Sequence, residues 1–239
     1  MTAGDSRKGP LITIDGPAGA GKTTVSRALA QRMGYTYVDT GALYRGVAVA
    51  AADRGISPED DAALADLCPT LRFEFRRRDG ETPLHLNGTD ISDRLRTPEI
   101  TMLSSRVSAR KPVRECLLSV QRRLGEAGEA IFEGRDMGTV VFPDADVKFF
   151  LTADLEARAK RRFEEFRDRS PQDREAVQAD MRRRDANDQS RALAPLKPAP
   201  DAHTIDSTGL SVAAVIQRMA EIIGKHLETV GTDEKLSEI

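Results

Sequence analysis

The chain has 239 residues, of which 39% are hydrophobic and 5% aromatic, and carries a formal net charge of −2. That length suits one large α/β domain or a core with small insertions, and the near-neutral balance excludes the global basic character of a nucleic-acid binder. Two isolated cysteines and three scattered histidines form neither a disulfide framework nor a zinc site. No apolar run reaches the ~18–20 residues of a membrane span, and the N-terminal stretch lacks a secretory hydrophobic region, so a reduced, cytoplasmic protein is expected.

After a flexible leader over 1–9, Leu11–Ile14 reads as a buried strand. Gly16-Pro17-Ala18-Gly19-Ala20-Gly21-Lys22-Thr23 then fits the phosphate-loop pattern G-x-x-x-x-G-K-[ST]. Val25, Ala28, Leu29 and Met33 follow at helical spacing, so the loop sits between strand and helix as the pattern requires. Glycines let several backbone N–H groups turn toward one anion, and the helix N-terminus adds partial positive charge. Lys22 is expected between the β- and γ-phosphates of a nucleotide, with the Thr23 hydroxyl on Mg²⁺.

Tyr35–Val38 reads as a second strand, with a helix from Ala42 to Ala52 and a short one within Ser57–Asp66. Asp39, at the strand tip, suits a helix cap and a ligand contact about equally. Leu71–Phe75 and Pro83–Leu86 alternate around Asp79-Gly80 and precede Asn87-Gly88, which signals an antiparallel hairpin inserted into a strand–helix alternation. The Arg76-Arg77-Arg78 run at its tip reads as solvated. Helical turns are expected over Ile91–Arg96 and Pro98–Ala109, a break at Lys111-Pro112, and a helix over Val113–Leu124. A short strand, Ala130–Phe132, leads into Glu133-Gly134-Arg135-Asp136, and another follows at Val147–Leu151. Two charged helices, Leu155–Arg167 and Asp173–Arg184, are separated by Ser170-Pro171. A last strand at Thr204–Asp206, a helix over Ser211–Leu227 and a frayed tail over 228–239 close the chain. Five strands alternating with helices imply a parallel sheet with helices on both faces.

Carboxylates and arginines cluster at the predicted strand ends. Glu133 stands where phosphate-loop enzymes place an acid near the metal, and Arg45 lies one helical turn past the second strand. Arg158 and Arg162 lie four apart on one helix face, with Arg161 beside them; Arg184, Asp188 and Arg191 follow. Such cations suit phosphoryl transfer between two anions, in which repulsion between donor and acceptor must be cancelled.

The stretches GPAGAGKTT, DTGALYRG, EGRDMGTVVFPDADVKFFL, RRRDANDQSRALAPL and IDST, in that order, resemble the bacterial cytidylate kinase family from Pro10 to about Leu227. The resemblance implies a P-loop kinase fold in one domain over 10–227, with a core of 10–66, 126–155 and 185–227. It also implies an acceptor-binding insertion over 67–125 containing the hairpin at 71–91, and a lid over 156–184. It implies transfer of the γ-phosphate of ATP to CMP or dCMP with Mg²⁺; from composition and hydropathy, a monomer that binds neither nucleic acid nor membrane is expected. By matching motif, Gly16 to Thr23, Thr24 and Arg158 serve ATP, while Thr23 and Glu133 (through water) serve the metal. Thr40, Arg45, Ser105, Arg114, Arg135, Asp136, Arg184, Asp188 and Arg191 serve CMP, with Ser105 and Asp136 on the cytosine amino group. Lys22, Arg135, Arg162 and Arg191 are the implied catalytic set. A phosphate-loop kinase for shikimate or dephospho-coenzyme A shares the ATP half, but not the run of arginines facing an acceptor phosphate. A nucleotide-gated switch would hydrolyse ATP alone.

Overall fold

Five parallel strands form the main sheet, in the order β2-β6-β1-β7-β8. They are β1 (Leu11–Asp15), β2 (Thr36–Asp39), β6 (Ala130–Gly134), β7 (Val147–Thr152) and β8 (His203–Asp206). A computed structural model describes residues 9–76, 82–95, 97–166 and 173–237 of the chain. The central strands β6, β1 and β7 are mostly buried, as suits strands covered on both faces, whereas the edge strands β2 and β8 are partly exposed. The side-chain period of two splits β1 cleanly. Ile12 and Ile14 join the cluster built with α1 (Lys22–Met33) and α8 (Val212–Ser237), while Leu11 faces the opposite cluster with Val38, Phe132, Met137 and Val141. Each such buried Leu or Ile contributes ~1.5–3 kcal/mol of transfer free energy.

The interruption falls where the alternation changes texture. β3 (Phe73–Phe75), β4 (Leu84–Leu86) and β5 (Thr89–Asp90) make a separate antiparallel sheet. Its Leu84 and Leu86 pack into one core with α2 (Thr40–Asp53), α3 (Asp61–Leu67), α4 (Pro98–Val107) and α5 (Lys111–Gly125). α6 (Leu155–Phe166) and α7 (Arg174–Ser190) pack against each other through Ala159, Val177 and Met181.

Several local expectations are corrected. Lys111-Pro112 starts α5 rather than breaking the chain, since proline's missing N–H costs nothing in a first helical turn. Ser92–Leu95 is turn rather than helix, Thr97 instead capping α4 through Ile100 N. The second charged helix runs on to Ser190, which places Asp188 on it and Arg191 at its C-cap. The stretch after Leu227 continues α8 as far as Ser237, in keeping with its content of helix-forming Glu, Lys and Leu. A π-helical turn at Met137–Val141 has no counterpart in the sequence reading. Arg76 pairs with Glu74 at 2.6 Å. The leader up to Lys8, Arg77, Arg78, the Asp79-Gly80 turn, Arg96, Arg167 and Ser170-Pro171 lie outside the described residues.

Candidate active site

β1 ends at Asp15, and Gly16 then adopts φ +147°, a conformation that L side chains avoid. A Cβ there would lie 1.9 Å from the Leu151 carbonyl oxygen, so the loop leaves the sheet in close contact with β7. We expect Gly16→Ala to cost roughly 3 kcal/mol or more from backbone strain plus overpacking. Gly209→Ala, whose Cβ meets nothing within 4 Å, should cost little. Urea unfolding of the two variants checks the contrast.

α1 begins at Lys22 behind Gly21, which offers no side-chain cap, so the first-turn N–H groups are left for an anion. Lys22 is buried and donates to the Pro17 carbonyl at 2.9 Å. Burial, then the neighbouring Arg135 guanidinium, push its ammonium down to about 7. Thr23 Oγ1 donates to Glu133 Oε1 at 2.8 Å, and the Tyr37 hydroxyl donates to Glu133 Oε2 at 2.6 Å. Glu133 is therefore fixed by two hydroxyls, and Thr40 Oγ1 holds its main-chain oxygen at 2.6 Å. Burial, then the Asp39 and Glu133 charges, push the Tyr37 phenol far upward, so it stays a donor.

At the other end, Asp39 does two things. Its Oδ1 caps α2 through Ala42 N at 3.0 Å, and its Oδ2 receives Arg45 Nη2 at 2.8 Å. Arg45 Nε is buried without a partner. Arg114 reaches from α5 to Asp136 in an ion pair whose side chains are 11% and 4% exposed, and lies 5.7 Å over the Tyr44 ring. Burial raises the Asp136 carboxyl against the opposing pull of Arg114. Asp188 bridges Arg135 Nε at 2.9 Å and Arg191 Nη2 at 2.5 Å. Burial would raise its carboxyl, but the Arg135 and Arg191 guanidiniums outweigh that and hold it low. Arg184, half-buried near Arg135, is lowered to about 10, mainly by desolvation.

These groups line one cleft of about 1010 Å³. Residues 18–24, Thr40, Arg45, Ser105, Arg114, Glu133, Arg135, Asp136, Arg162, Arg184, Asp188 and Arg191 all border it. Nine cationic side chains face five carboxylates on its wall, so the cleft attracts polyanions. Gly16 and Pro17, also expected on ATP, do not border the cleft. Arg158, expected on ATP, is not on the wall: its guanidinium is 7% exposed and is held by the Ala153 and Ala18 carbonyls and by Asp185 at 2.7 Å. Arg162, four residues on, does border the cleft and pairs with Glu165 at 3.0 Å. Arg161, also on the wall, grips Ser207 O at 2.6 Å and so ties α6 to the end of β8.

Sequence reasoning missed Tyr37, Tyr44 and Ser108. Ser108 accepts from Arg114 Nη1 through its carbonyl at 3.2 Å and from Arg191 Nη2 through its hydroxyl at 3.4 Å. Its spacing to Arg114 offered a weak signal, and Tyr37 gave none. Among the described residues no group of three or more His, Cys, Asp or Glu could hold a metal by itself. Thr23 and Glu133 together supply one hydroxyl and one carboxylate oxygen pair, a hard-donor set that suits Mg²⁺ completed by phosphate oxygens and water.

Residues 12–225 match the cytidylate kinase family. A cytidylate kinase of Geobacter sulfurreducens is 49% identical over 218 residues, covering 91% of this chain and 94% of that protein. One from Lactobacillus gasseri is 43% identical over 215 residues, covering 90% and 94%. A crystal structure of an uncharacterized protein from Eubacterium ventriosum shares the fold, with a TM-score of 0.51 at 14% identity, over 91% of this chain and 99% of that one. With a phosphate loop and an arginine-lined wall in one cleft, and near-half identity over almost its full length, the chain belongs to the cytidylate kinase family.

Proposed function

We propose that the chain transfers the γ-phosphate of ATP to CMP or dCMP, giving CDP or dCDP and ADP. The observation that carries this reading, beyond family membership, is the pairing of the Lys22 loop with the buried Arg114–Asp136 couple in a single cationic cleft. The loop amides and Lys22 would hold the donor phosphates. Arg45, whose Nε lacks a partner, would join Arg135 and Arg191 on the acceptor phosphate. Asp136 would accept from the cytosine amino group, where uracil presents a carbonyl oxygen instead, with Ser105 beside it and Arg114 on the acceptor edge of the base. Asp188 and Arg184 would take the ribose, leaving dCMP a substrate if only the 3′-hydroxyl is gripped. Arg162, on the lid helix, would approach the transferred group.

An acceptor phosphate oxygen attacks the γ-phosphorus as the bond to the bridging β-oxygen breaks. The attacking group is already an anion, so no general base is needed; positioning and charge stabilisation carry the rate. Thr23 and Glu133 would hold Mg²⁺, which supplies positive charge to the β- and γ-phosphate oxygens when bound. We propose further that the protein is a cytoplasmic monomer acting on small anionic substrates. No helix among the described residues is long and apolar enough to cross a membrane.

The test is a coupled ADP-release assay with MgATP across the four ribonucleoside monophosphates and dCMP. Rapid turnover of CMP and dCMP, weak turnover of UMP and almost none of AMP are expected. Equal rates with AMP and CMP, or ATP hydrolysis that ignores every acceptor, would overturn the proposal.

A further inference from the structure

Asp15 closes β1 one residue before the phosphate loop, yet it is absent from the cleft wall. Because Ile12 and Ile14 face α1 and α8, the strand's period of two sends Asp15 to the opposite face, beneath the Met137–Val141 turn. There its carboxylate, in a residue only 4% exposed, accepts from two successive main-chain donors: Met137 N to Oδ1 at 2.9 Å and Gly138 N to Oδ2 at 2.8 Å. The turn is seated tightly. A Cβ on Gly138 would come within 3.0 Å of Thr13 Oγ1 and 3.2 Å of Lys148 Cδ. Asp136 belongs to the same unit, since its carbonyl accepts from Val140 N at 2.9 Å and Val141 N at 3.2 Å. Arg135 immediately precedes it.

Backbone N–H groups could be satisfied without burying a charge. A buried carboxylate that receives two of them is costly to place, and burial pushes it up to about 6. What it accomplishes mechanically is to lock the turn carrying Asp136 and Arg135 to the strand that launches the phosphate loop. We infer that Asp15 is a positioning residue for acceptor selection: its carboxylate clamps the 137–141 turn and so fixes Asp136 and Arg135 in register with the donor-binding loop. This rests on the phosphotransfer reading above and adds to it a residue that touches neither substrate.

Asp15→Asn keeps the shape but sets an NH₂ against one of the two N–H donors. In that variant the KM for CMP should rise about tenfold and the CMP/UMP ratio of kcat/KM should fall about tenfold, with the KM for ATP nearly unchanged. Thr13→Val, on the same strand face, serves as the control and should leave that ratio at the wild-type value. A folded Asp15→Asn protein with unaltered CMP/UMP selectivity would overturn the inference, as would equal losses toward ATP and CMP. Should the variant not fold, the wild-type protein provides the decisive measurement. Asp15 is faced by Lys22 from α1 and by Asp136, so its own carboxyl carbon must be followed by NMR as pH is changed. The Met137 and Gly138 amides should move with it, and the Asp136 carboxyl and Arg135 Nε should follow at the same midpoint. If the two amides move while Asp136 and Arg135 stay still, the clamp is merely local and the inference falls. A wild-type enzyme inert toward CMP would instead sink the phosphotransfer reading itself.

Discussion

Replacing Arg135 by methionine should lower kcat by ~10²–10³-fold, the usual loss when a donor aimed at developing charge is removed from a dry site. The reason lies in how the cations crowd. Arg135 is the strongest charged influence lowering both Lys22 and Arg184, so three positive groups meet where donor and acceptor phosphates would converge. By themselves these cations repel one another and are only partly neutralised, Arg135 through Asp188 at 2.9 Å. An anionic transition state relieves the repulsion, whereas a methionine fills the volume and supplies no charge. Stability should respond differently from rate. Asp188 keeps Arg191 at 2.5 Å in the variant, and removing one cation eases Lys22 and Arg184. We therefore expect the thermal midpoint of the ligand-free variant to stay within roughly 5 °C of wild type. Steady-state kinetics and thermal unfolding read the two effects separately. A variant that retained more than about a tenth of wild-type kcat would remove Arg135 from the transition state.

The second large effect concerns choice of base. Asp136→Asn should cut the CMP/UMP ratio of kcat/KM by ~10–100-fold. The carboxylate has only acceptors to offer, which matches the cytosine amino group and opposes the uracil carbonyl. An asparagine amide can turn its NH₂ toward that carbonyl, so UMP should gain while CMP loses. The change also withdraws a counter-charge from Arg114, whose side chain is 11% exposed. Breaking a buried pair outright costs ~3–5 kcal/mol. Asparagine keeps one carbonyl oxygen for the guanidinium, so the loss should be smaller. Using the ratio of two substrates on one protein separates base reading from any fall in the folded fraction. An unchanged ratio in a folded variant would show that Asp136 does not read the base.

Both variants probe ion pairs that no sequence pattern announces. Arg158 and Arg162 make the point within one helix. They are four residues apart and equivalent by periodicity, yet Arg158 is sunk against Asp185 and the Ala18 carbonyl while Arg162 borders the cleft. Spacing defines a face of a helix; only the packing of α6 against α7 decides how deep each position on that face lies. Tyr37 is a similar case: as a residue of an alternating strand it is unremarked, until β2 pairs with β6 and brings its hydroxyl to Glu133.

Sequence alone determined the phosphate loop, the alternation of strands and helices, the antiparallel interruption near residue 71 and, through long motifs, the family. All of these are encoded in neighbouring residues, where glycine spacing and apolar period act directly on the backbone. Tertiary structure decided which carboxylate meets which arginine: Asp136 with Arg114, Asp188 with Arg135 and Arg191, and Asp39 with Arg45. It also decided that Asp15 lies under the 137–141 turn rather than in the cleft. Apart from the local Asp39–Arg45 and Asp188–Arg191 pairs, these partners lie 22 to 123 residues apart, and their meeting depends on strand order, register and the turn at Met137. Such pairings are set by the free energy of the whole packed arrangement, which no local stretch contains.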